Sequence, residues 1–269
     1  MQASVVISYY KNLPNLELIL MGLQQQTAEQ TFEVIVSEDG NAPETIQFIN
    51  DIKKKLSFPL KHVWQEDIGF RKCKAMNNAL MSAGTDFIIF LDGDCIPHRL
   101  LVKQYISKKK YGRVLYGRRV NLSDKFSAQL LQKKDLGMLN FIKLLLAGCN
   151  RIEEGLYLPG IPQKYIEKKE ARLLGCNMGI YKEDLIAING FDEDYNFPGG
   201  GEDSDIEWRL EKLSNVTFYS MKFKAIVYHI WHQERFTEEA GEKSYQDLMN
   251  KIKQGFYVCK NGIKKMAIE

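Results

Sequence analysis

The sequence predicts an α/β fold, a Rossmann-like, mostly parallel central sheet flanked by helices within a single continuous domain. Three observations predict it. Short apolar runs alternate with helical patterns over the first hundred residues, as βαβ units require. One run, FIIFL at 87–91, is apolar throughout, as expected for a strand buried on both faces. And 269 residues, 45% of them hydrophobic, suffice to bury one large core.

The elements follow in order. Residues 5–7 read as a strand, and Pro14 opens a helix to 26. A second strand at 32–36 leads to Pro43 and a helix to 55, then a third strand at 60–64 and a helix at 71–83. The fourth strand is 87–91, followed by Pro97 and a helix from Leu100. Beyond it, 113–122 holds further strands, 123–147 is mostly helical, and 155–169, with Pro159, Gly160 and Pro162, reads as a mobile loop. A helix at 202–213, strands within 216–228 and a terminal helix at 237–254 complete the chain. No repeat, low-complexity segment or linker divides it.

Composition excludes several classes. Thirty-seven basic residues against 34 acidic leave a net charge of +3, too balanced for a disordered tail protein or a dedicated nucleic-acid binder. Five dispersed cysteines without a C-x-x-C pair argue against a disulfide framework or zinc knuckle. The first residues lack the basic region of a signal peptide, and the longest apolar candidate, 136–147, is broken by Asn140 and Lys143. A cytoplasmic location is therefore expected.

Five clusters can carry chemistry. Asp92-Gly93-Asp94 ends the fourth strand, where two carboxylates can converge on a hard cation; the alternative, an Asp-Gly hairpin, is weakened by the helix beyond it. GGGEDSDIEWR at 199–209 couples a glycine loop to a helix start rich in acids, more than the helix dipole needs, and offers a general base. His229 and His232 stand at i and i+3 after a strand, and a turn there would bring them together. Imidazole with aspartate suits Mn²⁺ or a similar ion better than Ca²⁺. DIGFRKCKAMNN at 67–78 feeds a helix with glycine, arginine and lysine, suited to a diphosphate or, more plainly, to a solvated basic face. Asp39, in SEDG at 37–40, either accepts a base N–H or serves the turn.

In this order the fragments resemble the inverting GT-A glycosyltransferases of family 2. VVISYY at 5–10, SEDG, QEDIGFR at 65–71 and LDGDCIP at 91–97 are similar to that family's donor half. LGCNMG at 174–179, NGFD at 189–192 and GGED at 200–203 are similar to the half shared with β-1,4-galactosyltransferases and bacterial chondroitin polymerases. The resemblance implies a GT-A catalytic domain over 1–235, with a nucleotide-sugar half at 1–97 and an acceptor half at 98–235, and a C-terminal helical tail at 236–269.

It also implies a UDP-sugar donor, a saccharide or lipid-linked saccharide acceptor, and Mn²⁺ or Mg²⁺ as cofactor. Ser8 and Tyr9 would border the nucleotide, Asp39 would hold the uracil, and Asp67 and Arg71 would complete the donor pocket. Asp92 and Asp94 would bind the metal with His232, His229 being the alternative third ligand. Asp203 matches the general base and Glu202 a donor-sugar contact. Asn177, Met178, Gly200 and Gly201 would line the acceptor side. The expected reaction is inverting, metal-dependent transfer in surface polysaccharide synthesis.

Two departures limit the resemblance. Asn196, Phe197 and Pro198 precede the glycines where galactosyltransferases place tryptophan, which puts a galactose-specific pocket in doubt. The insert at 125–172 resembles no segment that can be assigned. Its apolar stretch at 141–146 is read as core in preference to peripheral contact with a lipid acceptor on the inner membrane face. Two other functions compete: a nucleotidyltransferase, disfavoured because the loop after the first strand has no glycine, and a non-catalytic glycan- or nucleotide-binding module with a degenerate fold, disfavoured because all three aspartates are present.

Overall fold

The computed structural model describes residues 1–26, 31–166, 173–198, 201–233 and 238–266. The first four strands are β1 (Ala3–Tyr9), β2 (Phe32–Glu38), β3 (Leu60–Trp64) and β4 (Phe87–Asp92). With β6 (Arg113–Tyr116), β8 (Asn177–Tyr181) and β9 (Thr217–Ser220) they form a seven-stranded sheet of order β3-β2-β1-β4-β8-β6-β9. Pairing is parallel from β3 to β4, antiparallel on both sides of β8, and parallel again between β6 and β9.

Alternating side chains of the central strands feed two cores. Val5, Ile7, Val36 and Leu91 pack with Leu16 and Leu20 of α1 (Leu13–Gln24) and Tyr105 of α4 (Leu101–Lys108). Val6, Ile35 and Phe90 face the opposite way, toward Met76 and Leu80 of α3 (Lys72–Ser82) and Ile206 and Leu210 of α8 (Glu202–Glu211). Burial on both faces explains why these strands are nearly continuous apolar runs. The strand order reverses at β1, so a crevice opens at the carboxyl ends of β1 and β4. There Ser8 and Asp92 are register partners.

β5 (Cys95–Pro97), which follows β4 directly, joins β10 (Ile226–His229) and β7 (Arg118–Asn121) in a second, three-stranded sheet. Neither β5 nor β8 is expected from the sequence. Three residues carry no measurable period, and β8 is buried along its whole length, so it shows no alternation.

The insert differs from expectation. The helical stretch at 123–147 breaks into α5 (Asp124–Lys133), a 3₁₀ turn (Leu136–Met138) and α6 (Phe141–Leu146). Lys134 takes a left-handed conformation (φ 49°) that ends α5, and the Asn140 side chain caps α6 at the Lys143 N–H. Core packing does not hold for α6: Leu144 is buried, but Phe141, Ile142, Leu145 and Leu146 are exposed. The segment read as a loop contains a 3₁₀ turn (Gln163–Tyr165); 167–172 lie outside the described residues. Among the described residues no helix is long and apolar enough to cross a membrane.

Among the described residues the tail is helical only in α9 (Glu238–Gln254); 236–237 and 267–269 lie outside them. Beyond α9 the chain packs back on the domain. Asn189, held left-handed at φ 64°, donates from Nδ2 to the carbonyls of Cys259 and Lys264 and accepts from the Lys264 N–H. Its neighbour Phe191 exchanges two hydrogen bonds with the Asn77 amide of α3. The NGFD motif is thus a clamp joining α3 to residues 259–264.

Candidate active site

The crevice at the ends of β1 and β4 holds a cavity of about 280 Å³, lined by Ser8, Tyr9, Tyr10, Asp39, Phe70 and Lys72 among others. Gly93 sits beside it because nothing larger fits: a Cβ there would lie 2.7 Å from the Ser8 carbonyl oxygen. Asp39 is buried, and each carboxylate oxygen has a protein donor, Gln65 Nε2 at 2.8 Å and the Arg71 N–H at 2.6 Å. Arg71 therefore contributes its backbone, while its guanidinium turns to the Glu66 carbonyl. Asp67 pairs with Lys11, and neither Asp67 nor Arg71 is on the cavity wall. The Tyr9 ring is buried, its hydroxyl 3.4 Å from that of Thr45.

On one side lies a candidate metal centre. β5 and β10 pair so that His229 stands opposite Cys95, next to Asp94. The Ile230 N–H donates to the Asp94 carbonyl and fixes the start of the turn that returns His232. His229 Nε2 and His232 Nε2 both approach Asp94 Oδ2, at 3.4 and 3.2 Å. Their donor atoms lie within 4.8 Å of one another, as three ligands of one ion must. His232 Nδ1 lies 3.0 Å from the Gln233 carbonyl oxygen, which orients the ring with Nε2 toward Asp94. Burial opposes ionisation of Asp94, but its hydrogen bonds to His229 and His232 hold the carboxyl well below the usual range. The donor set fits a divalent ion. Asp92, expected to share the ion with Asp94 and one histidine, is not in this cluster; its carboxylate pairs with Lys72 at 2.9 Å, and both histidines join Asp94 instead.

On the other side is the acid pair that starts α8. Gly201, left-handed at φ 75°, caps the helix; Gly199 and Gly200 lie outside the described residues. A buried ion pair, Arg209 Nε to Asp205 Oδ2 at 2.7 Å, anchors α8, and the same guanidinium donates to the carbonyls of Ile188 and Gly190. Glu202 accepts from Lys72 at 3.1 Å. Burial raises the Glu202 pKa, yet Lys72 prevails and the carboxyl is held below its ordinary value. Asp203 is the opposite case: burial first, then the Glu202 charge, push it up to about 7. Its Oδ1 lies against Gly175, where a Cβ would come within 2.5 Å.

Two acceptor-side expectations are corrected. Asn177 is fully buried, accepting from the Tyr105 hydroxyl and donating to the carbonyls of Arg118 and Ala225. Its amide has no capacity directed outward, so it ties β8 to its surroundings. Met178 is likewise buried, in the core beneath α8. The parts that Lys72 and Gly175 play in the site emerge only in the fold. A basic residue at a helix start is visible in the sequence, but the two acids it joins come from separate stretches of chain.

A family model described as glycosyl transferase family 2 matches residues 4–175. The chain belongs to this family. A second model, described as the N-terminal domain of galactosyltransferase, matches residues 160–233, where Gly175, Asp203 and both site histidines lie. A chondroitin synthase of Pasteurella multocida is 26% identical over 249 residues; the match covers 84% of this chain but only 24% of that protein. This family member therefore spans about a quarter of that relative's length. Among solved structures, S. aureus TarS 1-349 in complex with UDP-GlcNAc has a TM-score of 0.63 at 18% identity, covering 94% of this chain and 66% of that one. GalNAc-T7 with UDP, GalNAc and Mn²⁺ has a TM-score of 0.61 at 14% identity, covering 92% and 47%. The shared fold is that of the GT-A transferases.

Proposed function

We propose that the chain transfers a sugar from a UDP-sugar to a hydroxyl of a growing glycan, with inversion at the anomeric carbon, in surface polysaccharide synthesis. The observation that carries this reading is the convergence on Lys72. It joins Asp92, beside the nucleotide-sized cavity and the Asp94 cluster, to Glu202, next to a carboxyl poised near neutrality.

Tyr10 and Phe70 would wall the base, and Asp39 would accept from it. Asp94, His229 and His232 would hold Mn²⁺ or Mg²⁺, which when bound supplies positive charge against the departing diphosphate. Asp203 takes the proton of the acceptor hydroxyl as its oxygen bonds to the anomeric carbon. The bond from that carbon to the diphosphate oxygen breaks on the opposite face, and UDP leaves. One base and one displacement give inversion, since retention by double displacement would need a carboxylate nucleophile at the sugar. Lys72 keeps Glu202 ionised, and the Glu202 charge in turn helps hold the Asp203 pKa near neutrality, where a general base is most effective.

The test is UDP release from a panel of UDP-sugars with Mn²⁺ and a glycan acceptor, with product anomers read by NMR. Metal-dependent release with inverted product is expected. Release that ignores chelation, or a retained configuration, would overturn the mechanism; silence with every donor would overturn the function.

A further inference from the structure

Outside the donor crevice lies a second, larger cavity of about 680 Å³, which shares no lining residue with the first among the described residues. Leu174 forms part of its wall, one residue from the Gly175 that packs on Asp203. One wall of the cavity thus adjoins in sequence the glycine that packs on the proposed base. Its lining is chemically mixed. Arg118, Arg151 and Lys222 supply three cations, against Glu153 and Glu154.

The charges are not equally engaged. Lys222 is taken by Glu154 Oε1 at 3.0 Å. The Arg118 guanidinium lies 5.6 Å from the centre of the Tyr116 ring, which orients its donors. Arg151 is exposed, and its side chain makes no ion pair or hydrogen bond among the described residues. Glu154 keeps a buried second oxygen, Oε2, without a donor, although its side chain is only 10% exposed. An unfilled buried carboxylate oxygen is costly unless a ligand hydroxyl meets it. Tyr165 is 73% exposed; Lys164 lies 5.1 Å from its ring centre, and the ring offers an aromatic surface of the kind that covers the C–H face of a pyranose.

Backbone strain is concentrated here as well. Arg151 (φ 54°) and Phe223 (φ 63°) are both left-handed, and both line this cavity. Non-glycine residues persist in that region where the surrounding structure over-determines them, a situation common at ligand sites.

We propose that this cavity binds the acceptor saccharide through a negatively charged sugar unit, whose carboxylate is paired by Arg118 and Arg151 while a ring hydroxyl donates to Glu154. Arginine suits that task because its planar fork matches a carboxylate. The inference rests on the sugar-transfer reading above and adds the acceptor's chemical class to it.

The test is calorimetric titration of the whole chain with a glucuronate-containing tetrasaccharide and with its carboxyl-reduced counterpart. The acidic form should bind at least about tenfold more tightly, and the advantage should shrink as salt rises. Arg151→Gln and Arg118→Gln should each reduce that advantage, with UDP affinity reporting that each variant is folded. Arg151 is exposed, so its variant keeps the test open even where Arg118→Gln misfolds. Equal affinity for the two forms, no binding of the acidic form, or an advantage undiminished in Arg151→Gln would overturn the proposal. UDP release measured on the same protein separates the two readings. Release without acid preference defeats this inference alone, whereas acid preference without release from any donor defeats the transferase reading alone.

Discussion

Lys72 Nζ lies 3.1 Å from Glu202 Oε1, across 130 residues of sequence. The lysine side chain is 16% exposed, and burial works against its charge; Asp92 and Glu202 outweigh that and hold its pKa well above the usual lysine range. The pair is a charge-bearing strut between the two halves of the chain. Replacing Lys72 with Met should leave Asp92 and Glu202 without their shared counterion and lower UDP release about 100-fold. Arginine at this position should restore the charge but not the fit. Steady-state kinetics on both variants check this, and a Lys72→Met enzyme with unchanged turnover would contradict the role.

Asp203 makes the pH dependence specific. Its pKa is raised from 3.8 to about 7 in the folded chain, and a general base acts only when deprotonated. Turnover should therefore climb about tenfold per pH unit below neutrality and level off above it. Stability should move the opposite way. Between about pH 4 and 7 the folded state binds the proton that the unfolded state has released, so Asp203 costs stability as pH rises through that window. Asp203→Asn removes the titration: it should abolish turnover yet melt at a higher temperature than the parent at about pH 8, with the gap closing toward about pH 4. Melting curves and rates across pH read both.

The cluster of Asp94, His229 and His232 should bind Mn²⁺ measurably in the purified chain. His232→Ala and His229→Ala should each weaken that binding by at least about 10- to 100-fold, seen by calorimetry or by the manganese EPR signal. Because the ion would bind only the folded state, Mn²⁺ at about 100 times its Kd should add about 2.7 kcal/mol of stability in the parent and much less in the variants. Binding that survives both substitutions would remove the site.

Gly175→Ala is the smallest change that should disturb the base. The new methyl would meet Asp203 Oδ1 at 2.5 Å, so the carboxylate or β8 must shift. Such overpacking costs about 1–3 kcal/mol of stability. It should lower the turnover number while leaving the KM for the donor near its parental value, since the donor cavity lies elsewhere. A rise in donor KM alone would count against this placement of Asp203.

Much of the fold was legible because its central strands announce themselves. Buried on both faces, they read as apolar runs between proline- and glycine-marked helices, and each was located to within a few residues. The short pieces were not legible. β5 has three residues, and its existence depends on β10, far along the chain. α6 has an apolar composition that reads as core, but Asn140 caps it on the surface and leaves only Leu144 facing inward. In the site, the types of residue were evident and their partners were not. DGD presents two equivalent carboxylates in sequence, and only the fold assigns Asp94 to the histidines and Asp92 to Lys72. The NGFD and CNMG motifs illustrate the converse, since Asn189 and Asn177 spend their amides on backbone carbonyls and hold the frame.

The pairing of β5 with β10 makes the cation site depend on distant chain. Its ligands stand at the paired ends of two strands more than a hundred residues apart, Asp94 just before β5 and His229 at the end of β10, and side chains alternate faces along a strand. A register slip of one residue would turn His229 away from Asp94. A polypeptide ending at residue 175 would contain the whole family-2 match and the DGD sequence, yet it would lack β10 and both histidines. Manganese affinity is therefore an assay of chain closure: it should emerge late in synthesis, after the nucleotide crevice has its strands, and should report in one measurement that the last third of the sequence has docked.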